Sequence, residues 1–173
     1  DPNAINFDVN NTIDDGSCIY YISQDVWVSP LGINDPASGL SEENPFQTIG
    51  YALSLLSASV DNPININLDA GIFSPSSIGE MFPIVMRSYI NLVGSGIDAT
   101  IIDAEYSETV IKFQFSENNL VSDLTITGGY TPQNGAGIFI NSSAPVIENV
   151  TIRNNSADFF GGGLYLYSNS NAT

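Results

Sequence analysis

The chain has 173 residues, with three Lys and Arg against nineteen Asp and Glu, no His, and a net charge of -16. Three cations cannot displace the counterions of a nucleic acid or hold an anionic membrane surface. The absence of His removes imidazole acid/base chemistry, Ser-His-Asp triads and His-ligated zinc. Apolar residues reach 43% while charged ones are only 13%, which separates the chain from disordered acidic tails. Asn and Ser supply about 40 residues and Ile about 21, a composition of β-branched strands divided by many turns.

Residues 1–22 form an Asp/Asn-rich module closed by the apolar run Ile19-Tyr20-Tyr21-Ile22. Within it Asp8, Asn10, Thr12 and Asp14 alternate before Asp15-Gly16. Oxygen ligands at alternate positions before a Gly turn suit a hard cation such as calcium, although the bidentate Glu of a full EF-hand loop is missing. A solvated turn is the competing reading. Residues 23–173 make the second unit. It opens on the strand-like Val26-Trp27-Val28 and a Gly/Pro/Asn loop from Pro30 to Pro45. Ile49, Ala52, Leu53 and Leu56 then follow the spacing of one buried helical face, predicting a helix over about 46–60 that Asn62-Pro63 ends.

From Ile64 onward the period is two. Ile64, Ile66 and Leu68, then Ile90 and Leu92, then Ile111, Phe113 and Phe115, then Leu124 and Ile126 predict short strands, each burying one face. Residues 120–147 lie over 146–173 without a gap, at an offset of 26. Leu124-Thr125-Ile126 falls on Val150-Thr151-Ile152, and Gly135, Gly137, Ile138, Phe139 and Ile140 fall on Gly161, Gly163, Leu164, Tyr165 and Leu166. Such a unit cannot bury its apolar face alone and must stack on a neighbour. The predicted fold is therefore all-β, a β-helix solenoid of three to four coils. The helix covers its N-terminal end, and the C-terminal end is open or continued elsewhere. A sandwich of antiparallel hairpins is the alternative.

Several constellations carry candidate chemistry. Phe139 lies between two inward isoleucines and so points outward, with its repeat mate Tyr165 beside it and Tyr167 two residues on. Such rings can form a platform for the apolar face of a sugar, or a ladder that only stabilises neighbouring coils. Asn118-Asn119, Asn149 and Asn154-Asn155 read as structural corner residues. A uronate lyase needs a cationic base beside calcium. Arg87, Lys112 and Arg153 are the only cations; Lys112 is the best placed, with Asp103, Glu105, Glu108 and Asp123 as possible neighbours.

Two resemblances follow. Val26-Trp27-Val28-Ser29 with Gly32, Asn34, Asp35 and Gly39, then Asn44-Pro45-Phe46-Gln47-Thr48-Ile49, Ile66-Asn67-Leu68, Gly71-Ile72-Phe73, Glu80, Pro83-Ile84 and Ile90 to Gly96 resemble the right-handed parallel β-helix of bacterial surface proteins, the pectin-lyase-like fold. This fold hosts lyases, hydrolases, adhesins and inert stalks, so the resemblance implies architecture more than activity. Residues 1–20 resemble a short Cys-bounded module of secreted Bacteroidetes proteins, in which a Gly-Cys-Thr precedes the Asp-Pro. The resemblance implies a disulfide from Cys18 to a cysteine ahead of Asp1, and an extracellular, exported protein. Together these readings predict a non-catalytic extracellular or cell-surface module, a stalk or adhesive surface with a polysaccharide or cell-surface glycan as partner. No nucleic acid and no membrane insertion are expected, and calcium is the one cofactor considered. The alternative is the N-terminal part of a polysaccharide lyase or glycoside hydrolase whose active groove lies beyond Thr173; self-association through the open end is a third.

Overall fold

A computed structural model describes residues 4–5 and 18–173. The described elements run β1 (Val26–Val28), α1 (Ile49–Leu55), β2 (Ile64–Leu68), β3 (Gly71–Phe73), α2 (Pro75–Ile78), β4 (Ile84–Met86), β5 (Ile90–Val93), β6 (Thr100–Asp103), β7 (Ile111–Gln114), β8 (Leu120–Thr127), β9 (Tyr130–Thr131), β10 (Ile138–Asn141), β11 (Val146–Ile152), β12 (Ser156–Ala157) and β13 (Leu164–Tyr167). Every pairing between these strands is parallel. The chain therefore winds in one sense and stacks about four turns, as the repeat predicts.

Three faces result. The first stacks β1, β2, β5 and the first halves of β8 and β11; the second stacks β3, β6 and their second halves. The third stacks β4, β7, β10 and β13. β8 and β11 bend from the first face to the second at Asp123 (φ 58°) and Asn149 (φ 50°). A single left-handed residue turns the corner there, and Asp and Asn are the non-Gly types that tolerate it best.

The inward side chains form rows that run up the helix. Val26, Ile66, Leu92 and Val121 share one register row and are fully buried. Phe73, Ile102 and Ile126 form another, and Met86, Phe113 and Ile140 a third. Alternation thus delivers one face of each strand to a single core, as period two demands.

Two expectations change. The helix spans Ile49–Leu55, not about 46–60. Phe46 stays extended because its backbone pairs with Trp27 and Ser29 of the first coil. Leu56 is extended too, bridging to Ile22, so the chain leaves the helix well before Asn62-Pro63. Its predicted apolar face survives: Ile49, Ala52, Leu53 and Leu56 are all buried. The second change is Phe115. Its even spacing from Ile111 and Phe113 predicts burial, yet its φ is 53° and it is 74% exposed. β7 stops at Gln114, and the left-handed corner throws the next side chain out.

The short helix is held at both ends by coil residues. Thr48 caps it through its own Oγ1, which accepts from Tyr51 N at 3.2 Å. The buried Glu80 carboxylate accepts from Ile49 N at 2.7 Å and Gly50 N at 3.0 Å. Arg87 Nη1 donates to the carbonyls of Leu53 and Leu56, both at 2.9 Å. A negative group at the N-terminus and a cation at the C-terminus match the helix dipole and satisfy backbone groups the helix itself cannot.

Candidate functional site

The third face carries the outward aromatics. Val85, Lys112, Phe139 and Tyr165 stand in one register row across β4, β7, β10 and β13. The rings of Phe139 and Tyr165 stack with centroids 5.9 Å apart and planes at 26°. Tyr165 in turn stacks on Tyr167 at 6.5 Å and 14°. The geometry places all three residues together, as their spacing predicts. Local backbone makes the close approach feasible. Gly135 (φ 77°) and Gly161 (φ 67°) occupy equivalent left-handed positions, and a Cβ on Gly161 would lie 2.6 Å from Tyr165 Cβ. Only glycine fits both demands.

The rest of the predicted constellations separate. Lys112 forms an ion pair with Glu108 at 3.8 Å, both partly exposed. The other acids near it in sequence are engaged elsewhere. Asp103 Oδ1 accepts from Glu105 N at 2.8 Å, and Glu105 itself accepts from the hydroxyls of Ser74 and Ser76. Those hydroxyls, Ser76 foremost, hold the Glu105 carboxyl below its ordinary value. Asp123 accepts from Asn149 Nδ2 at 2.6 Å, which likewise lowers its pKa. Arg87 is committed to the carbonyls of α1. Tyr130 hydroxyl donates to Asp158 across β9 and β12, and the charge of Asp158 raises its pKa.

The corner asparagines act as the sequence reading proposes. Asn118, Asn149 and Asn154 have φ of 52°, 50° and 53°. Asn155 ties two coils, accepting from Gly129 N at 2.7 Å and donating to the Ile126 carbonyl at 3.2 Å. Asn119 is the buried one, donating to the Arg87 and Ile90 carbonyls. Asp8, Asn10, Thr12, Asp14 and Asp15 lie outside the described residues, and Cys18 is half-buried at the start of the continuous described segment. Among the described residues no group of three or more acidic, Cys or His side chains is arranged to hold a metal, and no helix there is long and apolar enough to cross a membrane.

Period-two reasoning misses the exposed Phe115, Phe159 and Phe160. Each sits at a turn, where alternation carries no information; the Gly161-Gly162-Gly163 run after Phe160 is the signal that marks that turn.

Residues 43–173 match the family described as the right-handed β-helix region. The chain belongs to that family. This β-helix chain is also similar to metabotropic glutamate receptor-like protein P of Dictyostelium discoideum, at 30% identity over 149 residues. The alignment takes in 82% of the chain and 10% of that protein. A crystal structure of a pectin methylesterase mutant in complex with a hexasaccharide shares the fold, with a TM-score of 0.56 at 13% identity. That superposition covers 85% of this chain and 48% of the esterase. The chain thus spans about a tenth of the first relative and about half of the second.

Proposed function

We propose that this β-helix is a non-catalytic extracellular module of a larger secreted or cell-surface protein, serving as a stalk or adhesive surface that takes carbohydrate on its third face. The observation that carries the reading is the stacked strip of Phe139, Tyr165 and Tyr167, half-exposed and set on successive coils. Outward rings on a rigid sheet offer flat apolar area at low entropic cost, the requirement for stacking on the C–H face of a sugar. The esterase of like fold was crystallised with a hexasaccharide, which is consistent with a glycan on such a scaffold. Two of the three cations are engaged in ways that fit a non-catalytic role, Arg87 on α1 and Lys112 with Glu108, while Arg153 is exposed. Export, a cysteine partner for Cys18 and calcium at Asp8, Asn10, Asp14 and Asp15 belong to the same proposal and rest on sequence.

The test is binding of soluble neutral and acidic polysaccharides to the wild-type chain and to a Phe139→Ala/Tyr165→Ala variant. The variant should lose most of the affinity while keeping its circular dichroism. Unchanged binding would sink the platform. Calcium is checked by calorimetric titration, and no heat at millimolar calcium would remove it from the proposal.

A further inference from the structure

A second feature lies around the corner from the aromatic strip. Where the chain passes from the third face to the first, an open groove of about 360 Å³ is lined by Ser116, Glu117, Asn118, Ser142, Ser143, Ala144 and Asn169. It spans three successive coils. Asn119 follows the lining residue Asn118 in sequence but does not itself line the groove. Asn119 reaches down and donates to the Arg87 and Ile90 carbonyls at 2.7 and 2.8 Å. The next coil places Pro145 in register with it, through the pairing of Leu120 with Val146. Proline brings no side-chain donor, so Asn119 Oδ1 is buried without a partner.

The lining discriminates among ligand classes. No cation borders the groove and the chain carries a net charge of -16, so an anion is excluded. One carboxylate, Glu117, with no second acid, falls short of what a hard-cation cage uses. What remains are the Asn118 and Asn169 amides, which donate and accept, and serine hydroxyls that donate to neighbouring protein oxygens and keep lone pairs to accept from a sugar hydroxyl. Phe115 follows this chemistry. It precedes Ser116, is 74% exposed, and holds a left-handed backbone (φ 53°) that a bulky residue adopts only at a cost. Ser142 and Ser168 hold the same left-handed corner in the next two coils, so the fold sets this backbone, and what distinguishes Phe115 is an aromatic ring left in water beside Ser116.

We infer that this corner is a second, separate subsite for a neutral saccharide, with Phe115 as the stacking ring and Glu117, Asn118 and Asn169 as hydroxyl partners. The inference deepens the proposed carbohydrate reading and rests on it. Two variants separate binding from folding. Phe115→Asn suits the left-handed corner, so its melting temperature should equal or exceed the wild type. Its affinity for a neutral hexaose should nevertheless fall about tenfold. Phe115→Tyr should keep the affinity. The decisive readout is amide shift mapping of the labelled chain against cellohexaose, xylohexaose and mannohexaose. Shifts at Ser116–Asn118 and Ser142–Ala144, lost in Phe115→Asn, support the subsite. Shifts confined to β10 and β13 overturn it and leave the third-face platform standing. No shift with any of the three neutral hexaoses overturns the subsite, and leaves the third-face platform to its own test with acidic polysaccharides.

Discussion

The first and last described coils of the solenoid are covered to different extents. A β-helix is a stack of coils whose terminal coils each present an uncovered apolar layer and an unpaired strand edge. At the N-terminal end α1 covers the stack, and the first-coil row through Val26 is fully buried. At the other end the last coil carries the same inward residues in the same register, yet Leu164 is 36% and Leu166 41% exposed. Identical sequence patterning thus has different energetic content at different heights. A row residue stabilises the fold in proportion to what lies above it as well as below.

The largest predicted effect breaks that gradient in its middle. Phe113 is fully buried between Met86 and Ile140. Phe113→Ala should cost about 3–5 kcal/mol through lost burial and the cavity left behind. Leu166→Ala, two coils higher in the same row, should cost about 1 kcal/mol, because much of that side chain is already in water. Urea titration of both variants measures the contrast. Equal losses would mean that the last coil is covered in solution.

Removing the clasp at the capped end comes next. Glu80→Gln leaves one of the two helix N–H groups without its acceptor and sets an amide donor against it, for about 1–3 kcal/mol. The same residue gives a signature in pH. Burial raises the Glu80 pKa above its ordinary 4.5, against the pull of its backbone donors. Between 4.5 and that raised value the folded state binds more protons than the unfolded one, so this group's contribution to stability falls as pH rises. Glu105 and Asp123, held below their ordinary 4.5 and 3.8, act oppositely: their contribution is lost as pH falls through the folded values. The melting temperature of the wild type minus that of Glu80→Gln should therefore shrink as pH climbs above 4.5. A flat or growing difference would refute the raised pKa.

How much of this was legible beforehand depends on which interactions decide each feature. Period two reports a burial pattern that every coil must satisfy, and the ungapped offset of 26 fixes the register of the last two coils, so the strands and the outward Phe139–Tyr165 pair follow from sequence, while the offsets of the earlier coils do not. Helix length does not, because α1 is trimmed at both ends by tertiary pairings of Phe46 and Leu56 that no local propensity encodes. Glu80 and Arg87 stand 30 or more residues from the backbone groups they hold, so their role needs the coil that brings them back. Phe115 misleads for a third reason. Alternation extends only as far as the strand, and Phe115, the first residue past it, is itself left-handed, which turns its side chain outward. The corner groove is invisible for the same cause, since it is made of turns rather than periods.

The smallest predicted effect asks whether the contrast between the ends extends to backbone as well as burial. Asp123 in the third full coil and Asn149 in the last occupy the same left-handed corner, and they share one hydrogen bond at 2.6 Å. Asp123→Ala and Asn149→Ala remove the same bond and force the same φ on a Cβ with no polar compensation, so each should lower the urea midpoint by a similar, small amount. The cost is local, so height in the stack should not enter. Losses that agree would show that corners contribute independently of the cap while rows do not. A markedly cheaper Asn149→Ala would instead show the last coil relaxing its corner, and the open end would then differ in conformation as well as in exposure.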